Sequence, residues 1–304
     1  NGKLIQADEE RMMPDQCEAF VKEIYDLAGH RDISRFLACG DDDFSFAVQG
    51  LSRYRVSTYR QRGSLSAVIR IIRLSDMKKG LVLVTGPAGS GKSTTLACII
   101  DEINRTQEKH IITLEDPLEF LHRHKKSIVS QREISSDTES YLTALRASLR
   151  QSPDVILLGE MRDFETISVA MTAAETGHLV LSTLHTLGAA NTIDRIIDVF
   201  PPNQQRQISV QLSSVLQAVV SQQLIPAKDE TLVPAFELMT TTPAIRNMIR
   251  ENKIHQIDGL IYSSAGKDML SMDNSILALY KSGKISETEA LSHASNPEML
   301  KRKL

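Results

Sequence analysis

A chain of 304 residues with 41% hydrophobic residues can bury one large core or two moderate ones, and its length favours about two domains. Its 35 basic and 38 acidic side chains leave a net charge of −3, which excludes a global field that recruits nucleic acid or anionic membrane. Three separated cysteines without a C-x-x-C pair exclude a disulfide framework and a structural zinc site, and no apolar run approaches the roughly 20 residues of a membrane span. We therefore expect a cytoplasmic protein without a transmembrane segment. Because the chain does not begin with Met, we also expect part of its N-terminus to be missing.

The first 73 residues predict a small α+β domain. Residues 15–28 have the spacing of an amphipathic helix, with Pro14 at its start and Gly29 at its end. Segments with strand-like alternation follow at residues 44–48, 54–59 and 67–72. This order indicates one helix followed by a small antiparallel sheet.

An arginine-rich stretch lies within this sheet. Four arginines, interleaved with aromatic residues, fall within ten positions: Arg53, Arg55, Arg60 and Arg62. Such a stretch suits a nucleic-acid surface, a solvated edge strand, or a source of arginine fingers that reach a nucleotide. Spacing alone leaves these alternatives open.

A complete phosphate loop, G-x-x-x-x-G-K-S, follows an apolar strand and precedes a helical stretch. Its residues are Gly86, Pro87, Ala88, Gly89, Ser90, Gly91, Lys92 and Ser93, followed by Thr94. The glycines permit backbone conformations that turn successive N–H groups inward around phosphates. Lys92 can then reach the β- and γ-phosphates, and Ser93 can offer its hydroxyl to Mg²⁺. The loop predicts binding of a nucleoside triphosphate.

From Lys79 onward, short apolar strands alternate with helices, which is typical of βαβ units and a parallel sheet. The predicted strands are 81–85, 110–115, 127–130, 155–159 and 179–183. The predicted helices between them are 93–103, 138–151 and 164–176. Beyond Pro201-Pro202 we expect a mostly helical region, with helices at 204–222, 242–251, 255–263 and 273–282.

Carboxylates follow two of the predicted strands. Glu160 lies at the carboxyl edge of its strand, where open α/β sheets hold ligands and where a carboxylate can organise Mg²⁺ or its water shell. The alternative, helix capping, suits Asp163 better. Glu115, Asp116 and Glu119 also follow a strand, and their mutual repulsion is costly unless a cation or nucleotide lies nearby. One of them can align the water that attacks the γ-phosphate.

Two histidines, His178 and His185, bracket the strand at 179–183. A lone histidine is usually structural, and the absence of C-x-x-C and H-E-x-x-H patterns disfavours a metal site. The functional alternative is hydrogen bonding near the γ-phosphate.

Together, these motifs resemble the hexameric secretion ATPases of type II secretion and type IV pili. The resemblance runs over about residues 40–285 and includes the phosphate loop. It also includes three motifs of the family: an acidic box at residues 114–119, a Walker B-like segment at 158–163 and a histidine box at 176–185. Residues 243–251 resemble the AIRNLIRE signature of the PilT-type retraction ATPases, with Met248 in place of Leu. The four-cysteine zinc element of the assembly ATPases is missing.

The resemblance implies an α/β fold: a RecA-like phosphate-loop domain with a smaller N-terminal α+β PAS-like domain and C-terminal helices. The expected boundaries are 1–73 for the PAS-like domain, 74–79 for an interdomain linker, and 80–304 for the ATPase domain, with its helical region from about 203. This linker is shorter than is usual in the family.

The resemblance also implies roles for the motif residues. Lys92 and Ser93 would hold the phosphates and Mg²⁺, Glu119 would polarise the attacking water, and Glu160 would support the Mg²⁺ shell. Gly159 stands where many other phosphate-loop ATPases place an aspartate, which leaves Ser93 as the main direct ligand for Mg²⁺.

Further implied contacts lie in the histidine box and the small domain. His178 and His185 would contact the γ-phosphate region, and Arg55, Arg60 and Arg62 would be arginines that the PAS-like domain contributes to a nucleotide site.

The implied activity is ATP hydrolysis that drives type IV pilus retraction and twitching motility. The implied assembly is a homohexamer, associated peripherally with the inner membrane through the pilus platform protein.

Other functions stay open at this point. A pilus assembly or type II secretion ATPase is disfavoured by the missing cysteine element. A RecA-like nucleic-acid translocase is disfavoured by the near-neutral charge, so we expect no nucleic-acid partner. A non-catalytic scaffold is disfavoured by the complete set Lys92, Ser93, Glu119 and Glu160.

Overall fold

The computed structural model describes residues 13–28, 31–48, 52–61, 64–72, 74–263 and 269–304. The chain divides into two compact units, Asn1–Arg73 and Leu74–Leu304. The predicted helix end at Gly29 lies outside the described residues, as does Arg62.

The first unit consists of two helices and a three-stranded antiparallel sheet. The elements are α1 (Pro14–Leu27), α2 (Ser34–Cys39), β1 (Asp41–Val48), β2 (Ser52–Gln61) and β3 (Ser64–Ile72), and the strand order is β1-β2-β3. Helix α1 buries Val21, Ile24 and Tyr25, whose spacing places them on one helix face. The predicted helix and antiparallel sheet are confirmed, whereas α2 is an element that the sequence pattern did not reveal.

The second unit is built on a seven-stranded sheet. Its strands are β4 (Gly80–Thr85), β5 (His110–Glu115), β6 (Ile128–Glu133), β7 (Val155–Leu158), β8 (Leu179–Leu184), β9 (Leu216–Pro226) and β10 (Leu232–Thr240). Its helices are α3 (Lys92–Thr106), α4 (Tyr141–Ser148), α5 (Phe164–Glu175), α6 (Ala189–Asp198), α7 (Pro202–Val215), α8 (Pro243–Arg250), α9 (Ile257–Ser263), α10 (Met272–Lys281), α11 (Glu287–His293) and α12 (Pro297–Lys301). No helix within the described ranges is long and apolar enough to cross a membrane.

The strand order is β10-β9-β4-β8-β7-β5-β6, and every neighbouring pair is parallel except β10 with β9. Strands β4 and β8 are buried along their whole length because helices cover both faces. Val82 and Val84 pack toward α3 on one face, whereas Leu81 and Leu83 pack into the larger core on the other. The predicted α/β class with a parallel sheet is confirmed.

Residues 74–79, which were expected to be a linker, begin with a 3-10 turn at Leu74–Asp76. Leu74 and Met77 pack against the core of the second unit. This segment is therefore part of the second unit in the structure.

The prediction of one continuous helix over residues 204–222 is wrong. Helix α7 ends at Val215, and the following residues form β9, which pairs in parallel with β4 and antiparallel with β10. The apolar residues in this region fit helical spacing as well as a buried strand, and pairing on both sides of β9 decides the outcome. The region beyond residue 203 is thus not a purely helical appendage, because β9 and β10 complete the main sheet.

Candidate nucleotide site

A cavity of about 440 Å³ opens beyond the carboxyl ends of β4, β5, β7 and β8. This edge is where doubly wound sheets hold their ligands. The predicted site residues that line it are Ala88, Gly89, Gly91, Lys92, Ser93, Thr94, Glu119, Glu160 and His185. Groups that are far apart in the sequence therefore converge on one space.

The phosphate loop has the backbone conformation that its glycines were expected to permit. Gly86, Gly89 and Gly91 have φ values of 146°, 75° and 84°. At Gly86 the space is also restricted, since an added Cβ would lie 2.1 Å from the carbonyl oxygen of Gln222. A side chain at this position would displace the loop from the strand beside it.

Lys92 is the first residue of α3 and is 8% exposed. Its Nζ donates to the carbonyl oxygens of Gly86, at 3.0 Å, and Pro87, at 2.8 Å. Burial lowers the pKa of Lys92, while the carboxylates of Glu119 and Glu160 act in the opposite direction. The ammonium group is thus held at the loop, where it can meet phosphate oxygens.

Ser93 and Glu119 join the phosphate loop to the acidic segment after β5. The Ser93 hydroxyl donates to Oε1 of Glu119 at 3.0 Å. Glu115 and Asp116 line the same cavity, and burial raises the pKa of Glu115. All three carboxylates of this segment therefore line the same cavity as Lys92.

Glu160 follows β7 and lies near Arg162 and His185. Its Oε1 lies 2.5 Å from Nη2 of Arg162, and its Oε2 lies 3.6 Å from Nε2 of His185. Asp163 has a different role: its Oδ1 accepts the backbone N–H of Thr166 at 2.8 Å and caps α5. The structure thus places the capping carboxylate at Asp163 and leaves Glu160 in the cavity.

Tyr141, Arg162 and Thr183 line the cavity but were not among the residues identified from the sequence. An added Cβ at Gly159 would lie 2.8 Å from Oη of Tyr141, so the glycine makes room for this phenol. Burial raises the pKa of Tyr141, and the charge of Glu160 adds to the effect. In the sequence, the only sign of a large side chain beside the Walker B-like segment was the glycine at position 159.

His178 lies apart from this cavity, and its contact with the γ-phosphate region stays a prediction. His178 precedes β8, at its amino end, and its Nδ1 lies 2.9 Å from the carbonyl oxygen of Ala173. Because a strand rises about 3.3 Å per residue, the six residues of β8 separate His178 from the cavity by roughly 20 Å. His185, at the other end of β8, lines the cavity.

The predicted arginine contacts belong to the first unit. Arg60 is exposed, and its Nη2 donates to the carbonyl oxygen of Leu37 at 2.8 Å. Arg55 lies on β2, where its side chain is outside the described part of the structure, and Arg62 is not described at all. Their role at a nucleotide stays a prediction.

Comparison with known proteins identifies the family. The family model described as type II/IV secretion system protein matches residues 56–278. The chain is 45% identical over 300 residues to the type IV pilus retraction ATPase PilT of Pseudomonas aeruginosa, covering 93% of this chain and 86% of that protein. It is also 45% identical over 276 residues to a twitching motility protein of Neisseria gonorrhoeae, covering 85% of this chain and 74% of that protein.

A solved structure agrees with this assignment. The pilus retraction motor PilT, crystallised with bound ADP, aligns with a TM-score of 0.71 at 44% identity, covering 94% of this chain and 86% of that one. The chain therefore belongs to the type II/IV secretion system protein family and, within it, to the PilT-type pilus retraction ATPases.

Proposed function

We propose that this chain is a motor ATPase that hydrolyses ATP to drive retraction of type IV pili and hence twitching motility. The observation that carries the proposal is the 3.0 Å hydrogen bond between Ser93 and Glu119. This bond joins Ser93, which is expected to hold Mg²⁺ at the phosphates, to Glu119, which is expected to act on the attacking water. Both residues line one cavity at the edge of the sheet. Family membership and the PilT relatives support the same activity.

The groups proposed to bind phosphates line the cavity. Lys92 contributes a buried positive charge, and the N-terminus of α3 adds the positive end of its helix dipole to the same side of the cavity. The backbone N–H groups of the loop would bind phosphate oxygens, and the aligned helix would favour their negative charge. These groups support a nucleoside triphosphate as the substrate, and the relatives named as ATPases support ATP.

The donor set also fits Mg²⁺, since Ser93, Glu119 and Glu160 offer the oxygen atoms that this ion prefers. Ser93 would hold the ion directly, and Glu160 would hold it directly or through water. When bound, Mg²⁺ neutralises charge on the β- and γ-phosphate oxygens.

Glu119 would position the attacking water and accept its proton as the water oxygen bonds to the γ-phosphorus and the bond to the ADP oxygen breaks. Arg162 and His185 would orient Glu160 through the contacts described above. In this arrangement the protein contributes positioning and electrostatic stabilisation, which account for most of the catalysis of phosphoryl transfer.

We further propose that six copies form a ring in the cytoplasm, associated with the inner membrane through the platform protein of the pilus machinery. The match of α8 to the AIRNLIRE signature supports retraction rather than assembly or type II secretion. The net charge of −3 argues against nucleic acid as a partner.

Steady-state ATPase assays of the wild type, Lys92→Ala and Glu119→Gln test the proposal. We expect Lys92→Ala to lose nucleotide binding or turnover, and Glu119→Gln to retain ADP binding while kcat falls by about 100-fold or more, because a positioned base contributes 10²–10⁴-fold. Native mass spectrometry of the wild type with ATP checks the six copies. Turnover by Glu119→Gln at the wild-type rate would rule out the proposed role of this carboxylate.

A further inference from the structure

Gln222 lies on β9, directly beside the start of the phosphate loop. The parallel register pairs Thr85 with Ser221, so Gln222 is the next residue along β9, as Gly86 is along the loop. The residue is 3% exposed. It does not line the nucleotide cavity, so any effect on the nucleotide must act through the loop.

Both ends of the Gln222 carboxamide are bonded to the phosphate-loop region. Its Nε2 donates to the carbonyl oxygen of Ser90 at 2.5 Å, and its Oε1 accepts the hydroxyl of Thr95 at 2.7 Å. Since the donor and the acceptor are each used, the amide has one orientation. It connects the middle of the loop with the first turn of α3.

The bond to Ser90 has a direct consequence for the loop. In a trans peptide the C=O and N–H groups point in opposite directions, so a Ser90 carbonyl held toward Gln222 turns the N–H of Gly91 away from β9. An added Cβ at Gly91 would lie 2.8 Å from Nε2 of Gln222, which shows how closely the amide follows the loop. The glycines on either side of Ser90 have positive φ values, which glycine adopts at little cost, so permissive residues flank the peptide that Gln222 holds.

We propose that Gln222 is a positioning residue for nucleotide binding: its carboxamide fixes the curvature of the phosphate loop so that the loop N–H groups converge on the phosphates. This inference rests on the proposed ATPase function and adds to it a residue outside the phosphate-loop, acidic-box, Walker B-like and histidine-box motifs. Through Gln222, strand β9 therefore contacts the phosphate loop directly.

The neighbouring residue provides a matched control. Gln223 is also buried, at 7% exposed, but its Nε2 donates to the carbonyl oxygen of His293, at 3.0 Å, beside α11. A substitution there removes one buried amide bond from the same strand without touching the loop.

The test measures ADP affinity by calorimetric titration with Mg²⁺, together with KM for ATP, kcat and the melting temperature. In Gln222→Glu a carboxylate oxygen would face the carbonyl of Ser90, so we expect ADP affinity to fall and KM to rise by about tenfold or more, with a smaller change in kcat. Thr95→Val should weaken ADP binding by about threefold, and Thr95→Ser should restore it, because the hydroxyl returns. Gln223→Glu should lower the melting temperature and leave ADP affinity within about twofold of the wild type.

The inference is overturned if Gln222→Glu binds ADP within twofold of the wild type, or if Gln223→Glu weakens binding as much as Gln222→Glu does. If Gln222→Glu fails to fold, the pair Thr95→Val and Thr95→Ser decides, since equal ADP affinity in these two variants also overturns it. A wild-type chain that binds no ADP would instead refute the proposed function itself.

Discussion

At the scale of single residues, Glu237 is a buried carboxylate that lies outside the nucleotide cavity. It is 8% exposed, and its Oε1 accepts the backbone N–H of Ala189, the first residue of α6, at 2.8 Å. Burial raises the pKa of Glu237 above the ordinary 4.5, and the nearby Asp258 and Asp273 act in the same direction. Hydrogen bonds from the backbone of Ala189 and Met272 oppose this shift without cancelling it.

The raised pKa of Glu237 predicts a pH-dependent effect of Glu237→Gln. The folded state retains the proton at pH values where the unfolded chain has lost it, so the wild type loses stability as pH rises from 4.5 through the folded-state pKa. Glutamine keeps an acceptor for Ala189 and has no charge. We expect the melting temperature of the variant, relative to that of the wild type, to rise between about pH 4 and pH 8. A difference that stays constant across this range, measured by thermal unfolding, would contradict the assignment.

Single residues also show how far the sequence can define the site. Lys92 and Ser93 were predictable because a phosphate loop is continuous in sequence and its geometry is local. Tyr141 was not, since it reaches the cavity from α4, which precedes β7 in the chain, whereas Gly159 directly follows β7. His178 and His185 are close in sequence, but sequence alone does not show that the strand between them places only His185 at this cavity.

At the scale of secondary-structure elements, the junction of α7 and β9 is held by Arg246 of α8. Its Nη1 donates to the carbonyl oxygens of Ser213, at 2.5 Å, and Ser214, at 2.8 Å, in the last turn of α7. Carbonyl groups at a helix C-terminus lack hydrogen-bond partners within the helix and form the negative end of its dipole. A guanidinium can donate hydrogen bonds to them and offset this negative charge. The junction precedes the strand that carries Gln222.

Arg246→Ala should therefore separate hydrolysis from mechanical work. The nucleotide cavity does not include this residue, so we expect ATPase activity to stay largely intact while pilus retraction is impaired. The free energy of unfolding should fall by about 1–3 kcal/mol, because charge-assisted bonds to backbone carbonyls are lost. ATPase assays, denaturant unfolding and a retraction assay check these three outcomes. Full retraction by the variant would contradict a role for Arg246 in pilus retraction.

The elements also differ in how well they could be predicted. Strands β4, β5 and β8 are short apolar runs followed by turn or polar residues, and their positions were predicted nearly to the residue. Strand β9 was assigned to a helix because its pattern does not exclude one, and its identity depends on pairing with β4, whose residues lie far away in sequence. A short stretch of sequence carries no information on strand pairing with such distant residues.

At the scale of the whole molecule, the groups proposed to bind and hydrolyse ATP lie at one edge of one sheet in the second unit. The parallel order of the strands explains this convergence, because their carboxyl ends share that edge. The resemblance of the motifs was sufficient to identify the family, whereas the contacts of Gln222 and Arg246 required the structure. We propose that ATP hydrolysis at this edge drives retraction.

A pilus retraction assay tests whether ATP hydrolysis by this chain drives retraction. A strain that lacks its own copy of this gene is complemented with the wild type or with Glu119→Gln at matched expression. We predict that the wild type restores retraction and twitching motility, and that Glu119→Gln leaves the pili extended and the cells immobile. The proposed coupling of ATP hydrolysis to retraction would be contradicted if Glu119→Gln restored retraction. It would also be contradicted if cells with the wild type assembled pili without retracting them.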